Sequence, residues 1–193
     1  MSIEKTPKFD VSSRSAKGMD AMTMSTAPST LRPSVSPLPN IIGLGGAIAG
    51  LGGGLAMAII GALASLSLGN DIWLESKQIA ATVYGSAAVA QPGFVAGPVI
   101  VGTLLHFVMA ALLGAIFGIV TRRVLHLTSD YGVPLLTGLI YGLLVWLVAY
   151  FVVLPVVNPL LREAYAPSFI IQHIVYGAVT GILYMWLRPE PYR

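Results

Sequence analysis

Two histidines, His106 and His173, stand inside long apolar runs that hold no Asp, Glu, Lys or Arg. Neutral imidazole ligates haem iron or the magnesium of a chlorophyll-type pigment, and two such rings on facing helices can clamp a haem. The same groups can pass a proton or hydrogen-bond a quinone. The structural alternative is a neutral ring hydrogen-bonded to a backbone carbonyl, or to Thr103, Gln172 or Tyr176. At 1.5 Å per residue, His106 falls roughly 15 Å and His173 roughly 9 Å from the start of its helix. Both helices start on the same side, so the two rings lie at or near one level. Tyr141, Trp146 and Tyr150, spaced five and four apart, either line a quinone or pigment pocket or pack against lipid and neighbouring helices.

Glycine supplies the second pattern. Gly46, Gly50 and Gly54 share one helix face, and Gly138 and Gly142 repeat the spacing further on. Small residues let two membrane helices approach closely, where no hydrophobic force drives them together. These are helix-packing residues, used within the chain or against another subunit. They do not form a phosphate loop, because the G-x-G-x-x-G spacing and the Walker lysine are absent.

The elements that must position these residues are membrane helices. The chain has 193 residues, 55% hydrophobic and 10% charged, against about 25% charged in a soluble domain. Mean hydropathy is +0.80. This composition excludes a soluble enzyme, a disordered chain and a nucleic-acid binder. The net charge of +3 comes from scattered Lys and Arg, with no basic run beyond Arg122-Arg123. There is no cysteine, so disulfides, thiolate nucleophiles and Cys-ligated metals are excluded.

Residues 1–40 read as an irregular polar tail, and their apolar sequel starts too late and runs too long for a cleavable signal peptide. Residues 41–193 read as an all-α membrane domain of four transmembrane helices, near 41–67, 96–121, 134–156 and 167–187. Residues 71–90 read as an interfacial helix on the outer side, separated from the second span by Gln91-Pro92-Gly93. Asn70 and Asp71 are its expected N-caps, Trp73 and Tyr84 suit the headgroup region, and Glu75 and Lys77 are expected to face water. Pro155 and Pro159, flanking Asn158, kink or end the third span, and Arg162 and Glu163 form a short outer turn. Trp186 with Arg188 marks the last boundary, and His126 is expected in a solvated loop. Nine of the eleven Lys and Arg fall on one side of these spans and two, Lys77 and Arg162, on the other. The bias places both termini in the cytoplasm.

The chain also repeats. Gly46 and Gly50 match Gly138 and Gly142 at an offset of 92, and His106 and Gly114 match His173 and Gly181 at an offset of 67. Such a tandem two-helix repeat runs parallel about the membrane normal. The Gly-rich first span, the Trp73-to-Lys77 segment, His106, and His173-x-x-Tyr-Gly177 together resemble the YagU-like proteins over about 41–187. That resemblance implies a small bacterial inner-membrane protein and brings no activity or site residues.

The expected function is a non-catalytic accessory subunit of a bacterial membrane complex, of the respiratory or photosynthetic electron-transfer kind. Its partners are membrane lipid and other subunits, with a quinone or pigment as ligand, and no nucleic acid. The simplest form carries no cofactor; a haem- or pigment-binding subunit using His106 and His173, and a small oligomeric transporter or channel, are the alternatives. No carboxylate pair and no nucleophile–base pattern points to an enzyme.

Overall fold

The computed structural model describes residues 43–127, 132–162 and 166–187. The tail at 1–40, Glu163, Arg188 and Arg193 lie outside them. In lipid every backbone polar group must be satisfied within its own segment, so long uncharged runs become helices. The described elements are α1 (Leu44–Ser67), α2 (Leu74–Tyr84), α3 (Ala96–Ile119), α4 (Val133–Val148), α5 (Leu154–Val157), α6 (Pro159–Arg162) and α7 (Ala166–Leu187). No strand occurs among the described residues. Four helical runs are long and apolar enough to cross a membrane: Leu44–Ser67, Ala96–Val124, Val133–Val157 and Ala166–Leu187. The all-α architecture with four helices long enough to span a membrane is therefore the observed one, with each helix boundary within three residues of the sequence reading.

Two runs carry a wide, π-helical turn. One, Val120–Val124, ends the second span at Arg122 and Arg123. The other, Ala149–Val153, sits just before Pro155. Proline lacks an N–H and its ring crowds the carbonyl four residues back, and widening the preceding turn relieves both problems. Asn158 then leaves the helical conformation at φ −150°, and Pro159 opens the single turn of α6.

The glycines set the packing. A β-carbon on Gly46 would collide with the Gly114 carbonyl, and one on Gly50 with the Ala110 carbonyl. A β-carbon on Gly54 would lie 2.6 Å from that of Ala110. The second hairpin has the same construction: Gly138 meets Gly177, and Gly142 meets the His173 carbonyl. All five packing glycines are thus used within the chain. Their contacts also move the repeat by one turn. Gly50 and Gly54 seat against Ala110 and His106 as Gly138 and Gly142 seat against Gly177 and His173. Gly46 corresponds to Pro134, whose carbonyl blocks a β-carbon on Gly181 as that of Gly46 blocks one on Gly114. The structural offset between α1 and α4 is 88, not 92.

The interfacial segment differs most from expectation. The helix covers Leu74–Tyr84 only, and Gly85–Val89 forms a tighter turn. It lies antiparallel along the first turns of α3. The Ser76 carbonyl abuts Gly102, and the Tyr84 hydroxyl stands 3.7 Å from where a Gly97 β-carbon would be.

Candidate functional site

A two-fold repeat about the membrane normal would press α3 against α4 as closely as α1 against α7. The molecule departs from this. α1 packs along α7, whereas the α3 and α4 backbones hardly approach. Near the arginine-bearing end the gap is bridged by side chains: the Tyr141 hydroxyl donates to the Leu113 carbonyl at 2.7 Å, and the Tyr141 and Phe117 rings sit 5.2 Å apart. Towards α2 the gap widens into a cavity of about 310 Å³. Its walls are mostly apolar, with Met57, Leu105, Met109, Val145, Ala149 and Val153 among them. Glu75, His106, Asn158, His173 and Tyr176 are the polar groups that line it with Thr82.

Both histidines therefore belong to one cavity, and their bonds fix their tautomers. His106 Nε2 lies 2.9 Å from the Gly54 carbonyl. His173 Nδ1 lies 2.8 Å from the Phe169 carbonyl, one turn back in its own helix. A carbonyl only accepts, so each of these nitrogens carries a proton. In the neutral rings, His106 Nδ1 and His173 Nε2 remain as acceptors. Of the partners expected for a structural histidine, a backbone carbonyl, Thr103, Gln172 or Tyr176, the carbonyl is the one both rings use. Tyr176 donates its hydroxyl to the Ala110 carbonyl at 2.9 Å. This ties α7 to α3 about one turn beyond each histidine and brings the two rings level.

Lys77 does not face water, and Glu75 is only partly exposed. Lys77 is 1% exposed, and its Nζ donates to Asp71 Oδ2 at 3.0 Å and to the Gln91 carbonyl at 3.0 Å. Asp71 also accepts from Trp73 N at 2.9 Å and Gly93 N at 3.0 Å. Asp71 thus ties the α1–α2 turn to the loop before α3. It does not cap α2, whose N-cap residue is Trp73 with no side-chain cap. Burial alone would raise the Asp71 carboxyl, but the Gly93, Lys77 and Trp73 donors and the Lys77 charge outweigh it and hold it below the usual range. The α1–α2 turn folds back so far that the Glu75 carboxylate packs against Gly61, where a β-carbon would displace it. Burial pushes the Glu75 carboxyl up to about 7, against the pull of its hydrogen bond with Gln172.

A second, more polar cavity of about 330 Å³ lies on the other side of Glu75, lined by Gly61, Ser65, Asn70, Gln78, Ser168 and Gln172 among others. Glu75 and Phe169 line both cavities. Gln172 is 4% exposed, and its Nε2 donates to Ser168 Oγ at 3.0 Å. Its Oε1 is buried and has no hydrogen-bond partner.

The aromatic trio does not line the inner cavity. Tyr141 is spent on the α3 bridge. Trp146 stacks on Tyr150 at 5.8 Å, and Arg162 sits 5.7 Å over the Tyr150 ring. Val145, Ala149 and Val153 present the cavity face of that run instead. At the α2 end Asn158 is 3% exposed; its Nδ2 donates to the Gln78 carbonyl at 2.8 Å and to Thr82 Oγ1 at 2.9 Å. The break between Pro155 and Pro159 thus anchors α2 over the cavity. His126, by contrast, is on the exposed turn after α3, at φ 49°.

Sequence reasoning placed His106 and His173 but missed Glu75 and Asn158. The signal for Glu75 was Gly61 and Gly102, bare positions that admit a third element beside α1 and α3. Among the described residues, no three His, Asp or Glu side chains are grouped closely enough to hold a metal ion. No family model, curated protein or solved structure matches the chain.

Proposed function

We propose that this chain is a non-catalytic, multi-pass subunit of a bacterial inner-membrane complex that holds a small, largely apolar ligand with a polar ring, of the quinone class, between α3 and α4. One observation carries the reading: two histidines with carbonyl-fixed tautomers share a mostly apolar cavity. Ligand pockets are typically apolar, with a few convergent polar groups that fix orientation, and run from about 300 to 1,000 Å³. At about 310 Å³ the cavity suits one substituted ring better than a tetrapyrrole. The accessory role is supported by α4, the least covered of the four spans. Its apolar outer face is available to lipid or to a neighbouring subunit. The charge bias supports cytoplasmic termini, with the cavity nearer the outer surface.

The test is ligand recovery. Protein extracted from native membranes in mild detergent is expected to carry one lipophilic quinone-class molecule per chain, and Val145→Phe, which narrows the cavity, to lose it. Co-purifying subunits identify the complex. A colourless protein with no bound lipophile would count against the reading, and a haem Soret band would reassign the histidine pair to iron ligation.

A further inference from the structure

We propose that Glu75 is a proton-transfer group that connects the polar cavity beneath the α1–α2 turn with the two histidines of the inner cavity. The inference goes beyond ligand binding and does not depend on which molecule the inner cavity takes.

Three observations carry it. Among the described residues, Glu75 is the one carboxyl-bearing residue that lines both cavities. The polar cavity reaches the surface at Leu68 and Asn70, which are exposed, so one face of Glu75 is within reach of water. Beside Glu75 stands Gln172, whose buried Oε1 lacks a donor. A deprotonated Glu75 can only accept, and leaves that oxygen unsatisfied. A protonated Glu75 has an O–H to give it. Gln172 can therefore serve both forms, with a hydrogen bond that favours the carboxylate and an open Oε1 for the carboxyl O–H.

The groups around Glu75 agree with this. α1 offers Gly61 and Ser65, neither of them charged. α3 contributes His106, and α7 contributes Gln172 and His173. Within its own segment, Lys77 is paired with Asp71 at 3.0 Å. No cation among these residues pairs with the Glu75 carboxylate, and its neutral form is the one that burial favours.

The step is a proton transfer with no change of oxidation state. The Glu75 O–H bond breaks and its proton passes to a hydroxyl or water in the inner cavity, which gives up its own proton as an N–H bond forms at Nδ1 of His106 or Nε2 of His173, the two nitrogens left as acceptors. Glu75 becomes a carboxylate and the ring an imidazolium. A proton from water in the polar cavity then restores the carboxyl. A ligand in the inner cavity that takes up or releases a proton draws on the same relay.

Infrared spectroscopy of the purified protein in lipid nanodiscs tests this. The protein is expected to show a protonated-carboxyl C=O band at neutral pH that shifts promptly in D₂O, fades as pH rises through about 7 and is absent from Glu75→Gln. Removing both imidazoles, in His106→Gln/His173→Gln, is expected to displace the midpoint of that band. Absence of the band from the unaltered protein, or a band that does not exchange in D₂O, overturns the proposal without any variant. A midpoint unmoved by loss of both imidazoles overturns it too.

Discussion

A β-carbon on Gly114 would lie 2.6 Å from the α-carbon of Gly50. At that separation the two backbones touch, and any larger residue must push α1 from α3. Gly114→Ala is expected to cost about 1–3 kcal/mol, as overpacking does elsewhere. Gly97→Ala is the control, because its β-carbon would meet only the Tyr84 hydroxyl at 3.7 Å. Its effect should stay within about 0.5 kcal/mol. Denaturation midpoints in detergent compare the two directly.

Three tyrosines hold α3 by its carbonyls: Tyr141 at Leu113, Tyr176 at Ala110 and Tyr184 at Gly118. Each Tyr→Phe change keeps the ring and removes one donor. The expected cost is about 0.6 kcal/mol apiece, the average for hydrogen bonds between membrane helices. Tyr176→Phe should also loosen the cavity, since that bond levels the two histidines. Unfolding titrations of the three variants, with ligand retention measured alongside, check both effects.

The spans were legible because length and absence of charge are enough to specify a membrane helix. The common level of His106 and His173 followed from the rise per residue and a shared starting side. The position of Glu75 was not legible. A charged residue in a short amphipathic segment reads as solvent-facing. Only the fold-back of the turn after Ser67, tied by Asp71 to Gly93 and Lys77, carries it inward. The repeat was legible but its register was not. Glycines four apart align equally well at offsets of 88 and 92, and only the seating of Gly50 and Gly54 against Ala110 and His106 separates them.

Lys77→Met strips Asp71 of its cation but leaves it two backbone donors and partial exposure. The cost should be of the order of 2 kcal/mol, below the roughly 3–5 kcal/mol of breaking a fully buried pair. The double change Lys77→Met/Asp71→Asn should recover part of it. A double-mutant cycle on thermal stability reads the coupling.

Two pH windows should separate the two carboxyls. Asp71 is depressed in the fold, so its stabilisation is present above the unfolded value of 3.8 and is lost as pH falls through its lower folded value. Glu75 is raised, so the folded state holds a proton that the unfolded state has released. Its contribution is full below 4.5, declines as pH rises towards about 7, and is constant above that. Glu75→Gln should flatten the second slope and leave the first in place, as read from unfolding midpoints across pH 3 to 9.

If the gap between α3 and α4 is a ligand site, a quinone-class probe should find it, and photolabelling reads where it binds. Protein in nanodiscs is illuminated with a photoreactive benzoquinone and the adducts are mapped by mass spectrometry. Adducts are expected on Met57, Leu105, Met109 and Val153, displaced by unlabelled quinone and reduced at least tenfold in His106→Gln/His173→Gln, a loss of about 1.4 kcal/mol of binding. Labelling spread over the exposed Ile100, Leu104 and Leu144, and indifferent to competitor, would mean that the gap is not a ligand site.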